Sequence, residues 1–248
     1  MTGGDIQPDS PFLVVGLFLD RLSDDEALAK TCRALHDLGA SYTGSAWAGP
    51  AEPPPFEYVT DLPLRLSDWP VTAPGERQYR VGMSIEDLGT LAVSFGRADP
   101  AGGHPVAVMT FLGPYSYPDY WDDEDRAEAV RYRARALAVL RGLCDGLDPL
   151  YASVEEEEAV PVPSRLARVE TMTPPDFYLA DRARSRMGPI PDLFPEAVVE
   201  EWRTGVFVSH WLAPAEPVEP PPGAWGTVSR ELGRAAAELG WVERRPEH

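Results

Sequence analysis

The sequence is short of positive charge. Its 248 residues include 22 lysines and arginines against 40 aspartates and glutamates, for a formal net charge of −18. Direct binding to nucleic acid or to an anionic membrane needs a basic face, so the composition argues against both as partners. The same charge fits a basic protein partner attracted electrostatically, although solubility alone also accounts for it.

Cysteine and long apolar runs are scarce as well. Cys32 and Cys144 both fall within predicted helices. Two such thiols do not make a disulfide framework, so a reducing compartment fits. The apolar run at 11–19 is too short to span a bilayer, and no basic segment precedes it. We therefore expect a cytoplasmic protein with neither a signal peptide nor a membrane helix.

Motifs for metal binding and catalysis are also missing. The four histidines have no histidine or cysteine partner at the spacing that zinc requires; they are His36, His104, His210 and His248. The sequence contains neither a nucleophile elbow nor a phosphate-binding or dinucleotide-binding glycine loop. We therefore expect no cofactor, no metal and no catalytic residue, and interpret the protein as a non-enzyme.

The first half contains a clear pattern of strands and helices. An apolar run at 12–19 predicts a strand buried on both faces. Ser23 and Glu26 form a capping box for a helix that ends at Gly39. The buried stripe of that helix is Leu28, Cys32, Leu35 and Leu38. Further strands are predicted at 41–47, 79–85, 90–95 and 106–112, of which the last three form an antiparallel meander.

A long helix follows, and it should begin near Asp122, where carboxylates oppose the positive end of the helix dipole. Gly146 and Pro149 are expected to end this helix. Apolar residues recur along it at helical spacing, at Val130, Ala134, Leu137, Leu140, Cys144 and Leu147.

The remaining chain is more irregular. We predict a strand at 150–154, a short strand or turn at 176–180, helical turns at 181–187, a short helix at 195–203, a strand at 205–211 and a last helix closed by Gly240. Strands and helices do not alternate regularly, so an α+β fold is favoured, with helices on a mixed, mainly antiparallel sheet. We expect a single domain over 1–248, or two closely packed halves at about 1–113 and 114–248.

Aromatic and acidic residues are concentrated before and after the long helix. The rings are Tyr115, Tyr117, Tyr120 and Trp121, the preceding acids are Asp119, Asp122, Asp123 and Asp125, and the following acids are Glu155, Glu156, Glu157 and Glu158. Rings supply rigid contact area and acids pair with arginine or lysine, so this set predicts a binding surface for a basic protein. The alternative is that the rings fill the core while the acids cap the helix or form a solvated turn.

Three short motifs in the second half suggest a family. They are Asp148-Pro-Leu-Tyr-Ala-Ser-Val, Asp176-Phe-Tyr-Leu and Gly205-Val-Phe-Val-Ser. This pattern resembles bacterial immunity proteins of polymorphic toxin systems, of the immunity protein 52 kind. The resemblance implies an antidote that binds and blocks a cognate toxin, and it transfers no functional residues to this chain.

Two other functions stay open. An enzyme would use His210 together with a carboxylate from residues 155–158 in a shared cleft. A structural or scaffold protein of a secretion or phage-derived cluster would instead associate with itself.

Overall fold

A computed structural model describes residues 13–20, 22, 24–49, 78–95, 103–110, 123–156, 176–184, 189–195 and 197–210. The helices within these ranges are α1 (Asp24–Asp37), α2 (Asp123–Leu147), α3 (Asp181–Arg184) and α4 (Ile190–Leu193). The strands are β1 (Leu13–Leu19), β2 (Ser41–Gly49), β3 (Gln78–Ile85), β4 (Gly89–Phe95), β5 (His104–Thr110), β6 (Tyr151–Glu156), β7 (Asp176–Ala180), β8 (Val198–Trp202) and β9 (Gly205–Ser209).

All nine strands belong to one sheet, in the order β2-β3-β4-β5-β1-β6-β7-β9-β8. Every pairing between them is antiparallel. The predicted α+β class is therefore confirmed, as is the meander of β3, β4 and β5. The pairing of β1 with β6 joins strands from both halves of the chain.

The apolar run of β1 lies at the centre of this sheet, between β5 and β6. Val15, Leu17 and Leu19 contribute to the large core cluster under α1 and α2, whereas Phe18 packs in a second cluster on the opposite face. This second cluster also contains Phe194 and Ala183 from the short α3–α4 region. Alternate residues of a strand point to opposite faces, which explains why β1 is apolar at nearly every position.

Helix α1 ends as its sequence predicts. Gly39 has φ +95°, and its N–H donates to the His36 carbonyl at 2.9 Å. The Ala40 N–H donates to the Leu35 carbonyl, also at 2.9 Å. These two bonds form a Schellman motif, in which glycine adopts the left-handed conformation without strain. Ser23 of the predicted capping box lies outside the described residues.

Helix α2 differs from its prediction in two respects. Its buried face is rotated, because Ala134 is exposed and Leu137 half-buried, while Leu140, Cys144 and Leu147 are buried as expected. The additional buried residues are Tyr132, Ala136, Val139 and Leu143. The side chain of Val130 lies outside the described part of the chain. The rotation brings Arg133 over the sheet, where it binds a buried carboxylate described below.

The end of α2 is the second difference. The helix continues through Gly146 to Leu147, and the residue with positive φ is Asp148, at +48°. The Asp148 N–H donates to the Cys144 carbonyl at 3.0 Å. An aspartate tolerates this conformation better than most residues, and an ion pair described below holds its side chain.

The helix predicted at 195–203 was wrong. Residues Ile190–Leu193 form the short helix α4, and Val198–Trp202 form strand β8. Val198 and Val199 favour a strand, and the turn at Arg203 and Thr204 folds β8 back onto β9. Pairing with β9 therefore decides the structure of this segment, and Pro195 does not begin a helix. The predicted last helix and the proline-rich segment at 50–75 lie outside the described residues.

Candidate functional site

The described acids of the predicted binding surface lie at one end of the sheet. Asp123 and Asp125 are in the first turn of α2, and Glu155 and Glu156 are the last two residues of β6. Helix α2 leads through residues 148–150 into β6, so the two elements run in opposite directions. The start of α2 and the end of β6 therefore point toward the same end of the sheet. We call these four residues the acidic end.

Arg133 fixes α2 to the sheet beside the acidic end. Its Nε donates to Asp176 Oδ2 at 2.9 Å, and its Nη2 lies 2.7 Å from the same oxygen. The Ser209 hydroxyl donates to the other carboxylate oxygen of Asp176. The Asp176 side chain is fully buried and that of Arg133 is 14% exposed. The negative charge is thus neutralised, and both carboxylate oxygens accept hydrogen bonds.

The contact between Arg133 and Asp176 gives a reference point for the described acids. Asp176 pairs with Val154 in the neighbouring strand, so the guanidinium of Arg133 reaches the sheet at the level of Val154. Asp125 and Asp123 precede Arg133 on α2 by about 12–15 Å along the helix axis, at 1.5 Å per residue. Glu156 follows Val154 by about 7 Å along β6, at about 3.3 Å per residue.

The rest of the predicted surface lies outside the described residues. This applies to Tyr115, Tyr117, Asp119, Tyr120, Trp121, Asp122, Glu157 and Glu158. For Asp123, Asp125, Glu155 and Glu156 the structure describes the backbone only. The joint binding surface of rings and acids therefore stays a prediction.

His210, the candidate base of the enzyme alternative, lies in the core. It is fully buried, and its ring meets Phe194 edge-on, with the centroids 5.7 Å apart. Phe194 belongs to the second core cluster. Ser209, one residue earlier, instead binds Asp176, which is held by Arg133 of α2 on the other face. Ser209, Asp176 and His210 therefore do not form a nucleophile–base arrangement.

A second buried ion pair was not predicted from the sequence. Arg182 donates to Asp20 through Nε at 3.1 Å, and its Nη1 donates to the Asp148 carboxylate at 2.8 Å. Burial by itself lowers the pKa of the Arg182 guanidinium, but hydrogen bonds and charges from Asp20 and Asp148 outweigh that effect and raise the pKa. Arg182 thus joins the end of β1, the α2–β6 connection and α3. Arg182 is 162 positions from Asp20 and 34 positions from Asp148 along the chain, so local patterns gave no signal for this contact.

Three stacked rings cover β7, β8 and β9 on the α2 side. Trp202 stacks on Phe207 with centroids 4.4 Å apart and on Tyr178 with centroids 5.8 Å apart. The guanidinium of Arg141 lies 5.4 Å from the Trp202 ring centroid. The Tyr178 hydroxyl is 2.7 Å from Thr204 Oγ1, and burial is the main cause of its raised pKa. This arrangement anchors β8, the outermost of the described strands on this side of the sheet, to α2.

Among the described residues, no group of three or more histidine, cysteine, aspartate or glutamate side chains is placed to hold a metal ion. None of the described helices combines the length and apolar character needed to cross a membrane.

Comparison with known proteins gives little further information. No family model matches the chain, and no curated protein matches it. One similar solved structure is the Pseudomonas aeruginosa T6SS protein PA0821, with a TM-score of 0.45 and 10% sequence identity. The match covers 92% of this chain and 82% of that one. At this TM-score the likeness does not define a shared fold.

Proposed function

We propose that the protein binds and occludes a basic protein, as an immunity protein does with its cognate toxin, and that the acidic end is part of the contact surface. The observation that carries the proposal is the placement of Asp123, Asp125, Glu155 and Glu156 at one end of the sheet. The antiparallel course of α2 and β6 directs these two pairs of acids, which are 30 or more positions apart in the sequence, toward the same end of the sheet.

The supporting evidence is electrostatic and structural. The chain carries a formal net charge of −18, which attracts a basic partner from a distance and accelerates association. The ion pair of Arg133 with Asp176 attaches α2 to the sheet. A surface presented by elements that are attached to each other loses less conformational entropy on binding than a mobile one, so more of the contact energy appears as affinity.

The test is binding to the products of the genes that flank its own, each purified in full length. We expect one of them to be basic, to bind at micromolar concentration or tighter by calorimetry, and to be toxic when expressed alone. Co-expression of the present protein should restore growth. If neither neighbour binds at micromolar concentration, or if binding leaves the toxicity unchanged, the proposal is wrong.

A further inference from the structure

Strand β8 has one side that no described strand occupies. It is the last strand in the sheet and pairs with β9 alone among the described strands. Trp202 pairs with Gly205 across the two-residue turn at Arg203 and Thr204. The two residues that flank such a turn form a hydrogen-bonded pair. Along the two strands, hydrogen-bonded pairs then alternate with pairs that are not hydrogen-bonded to each other.

This register determines which backbone groups face outward. Trp202, Glu200 and Val198 direct their N–H and C=O groups toward β9, so Val199 and Glu201 direct theirs away from it. The described residues offer no backbone partner to Val199 or Glu201 on that side. Strand β8 therefore presents two donors and two acceptors in the spacing that a further antiparallel strand requires.

The side chains of β8 indicate what kind of strand would fit. Glu200 and Glu201 are exposed and, being adjacent, lie on opposite faces of the sheet. Glu201 Oε1 is 2.7 Å from Arg184 Nη1, and Glu200 Oε2 accepts from Trp202 Nε1 at 3.2 Å. A carboxylate can accept several hydrogen bonds, so each glutamate retains capacity for a lysine or arginine of an added strand.

We propose that the outer edge of β8 takes up an extended basic segment of another protein by strand addition. Glu200 and Glu201 select the occupant, because lysine or arginine opposite them is favourable on both faces. A second copy of β8 is disfavoured, since it would place glutamate against glutamate across the new ladder. The proposal is independent of the proposed function, because β7 and β9 separate β8 from β6 in the sheet. At about 4.8 Å between neighbouring strands, β8 lies roughly 14 Å from β6.

The probe is a capped hexapeptide, Thr-Val-Lys-Lys-Val-Thr, added to the full-length protein at up to millimolar concentration. In the free protein, the amide protons of Val199 and Glu201 should exchange rapidly with solvent, while those of Glu200 and Trp202 are protected by β9. Addition of the peptide should slow exchange at Val199 and Glu201 at least about tenfold and leave the other two unchanged. This alternating response is expected of strand addition and not of simple charge attraction.

Two controls separate strand pairing from electrostatics. Two control peptides are N-methylated at every second residue, one at the odd-numbered positions and the other at the even-numbered positions. Both retain the two lysines, but one of them lacks the N–H donors that would face β8. That peptide should give no protection, and a Glu-Glu version of the parent peptide should not bind. In the protein, Val199→Pro removes an outward N–H and should abolish the effect, whereas Val199→Thr retains it. Thermal unfolding of both variants checks that each is folded.

Three results would overturn the proposal. The first is slow exchange at Val199 and Glu201 in the free protein, which would show that the edge is already covered. The second is unchanged exchange at millimolar peptide, and the third is equal protection by both N-methylated peptides. None of these results depends on whether a toxin binds the acidic end.

Discussion

Asp176 is the residue on which the contact between α2 and the sheet depends most. Its carboxylate is fully buried and is neutralised by Arg133, while Ser209 supplies a further hydrogen bond. Loss of one partner from a buried ion pair leaves an uncompensated charge, which is far more costly than the net stabilisation that the intact pair provides.

We therefore expect Asp176→Ala to lower the free energy of unfolding by about 3–5 kcal/mol, because Arg133 is left without its counter-charge. Ser209→Ala removes one hydrogen bond and should cost about 1–2 kcal/mol. Urea denaturation of both variants measures the difference. Asp192→Ala, at an exposed position, is the control and should change stability by less than about 0.5 kcal/mol. If Asp176→Ala costs no more than Ser209→Ala, the buried ion pair does not have the role given to it.

The two cysteines lie in the core and give the stability a pH dependence. Burial raises the pKa of the Cys32 thiol from 9.0 to about 12, and burial with the charges of Asp145 and Asp148 raises the pKa of Cys144 well above its usual value. Above pH 9 the unfolded chain loses thiol protons that the native state retains. The unfolded state then binds fewer protons, so stability falls as pH rises, beginning near pH 9.

Urea denaturation at pH 8, 9 and 10 tests this linkage. Two thiols with an unfolded pKa near 9 should together remove about 2 kcal/mol of stability between pH 9 and pH 10. The double variant Cys32→Ala, Cys144→Ala should be less stable at pH 8 because of the cavities, but should show a flatter dependence across this interval. An identical slope in the wild type and the double variant would contradict the burial of the thiols.

At the scale of elements, α1 approaches α2 more closely at Gly142 than at Gly146. A Cβ placed on Gly142 would lie 2.4 Å from Leu38 Cδ2, whereas one on Gly146 would lie 3.4 Å from Ala34 Cβ, an ordinary contact. Glycine is less favourable than alanine in a helix, so its presence at 142 is explained by the close approach of α1.

This difference predicts opposite effects for the same substitution. Gly142→Ala should destabilise the protein by about 1–3 kcal/mol, because Leu38 must move out of its packed position. Gly146→Ala should be neutral or stabilise by up to about 1 kcal/mol through helix propensity. Melting temperatures of the two variants are directly comparable. A shift of the same sign for both would show that α1 and α2 do not pack as described.

Sequence patterns predicted most elements because their information is local. The apolar run of β1, the glycine at the end of α1 and the meander of β3–β5 are encoded by neighbouring residues. Two predictions failed where tertiary contacts decide the outcome. The buried face of α2 brings Arg133 to Asp176, which is 43 residues away in the sequence, and β8 is a strand because it pairs with β9 across a two-residue turn.

At the scale of the whole molecule, the strand order could not be read from the sequence. β1 pairs with both β5 and β6, and these partners are about 90 and 140 residues away from it, so no local pattern reveals them. The acids of the predicted binding surface were visible as acidic runs. The antiparallel course of α2 and β6, which directs both sets of acids toward one end of the sheet, is seen only in the fold.

The central claim is that the acidic end is a docking surface for a basic protein. A variant that neutralises it carries Asp123→Asn, Asp125→Asn, Glu155→Gln and Glu156→Gln. A control variant removes the same number of negative charges at exposed or half-buried positions away from the acidic end, with Glu26→Gln, Asp145→Asn, Asp181→Asn and Asp192→Asn. The two variants have equal net charge, so long-range attraction is weakened to a similar degree in both.

The most direct test is the dissociation constant of each variant for the basic flanking gene product, measured by calorimetry at 0.15 M salt. If each acid contributes about 0.5 kcal/mol, neutralising the acidic end should weaken binding about 30-fold. The control variant should stay within about threefold of the wild type. Equal weakening in both variants, or none in either, would contradict a docking surface at the acidic end.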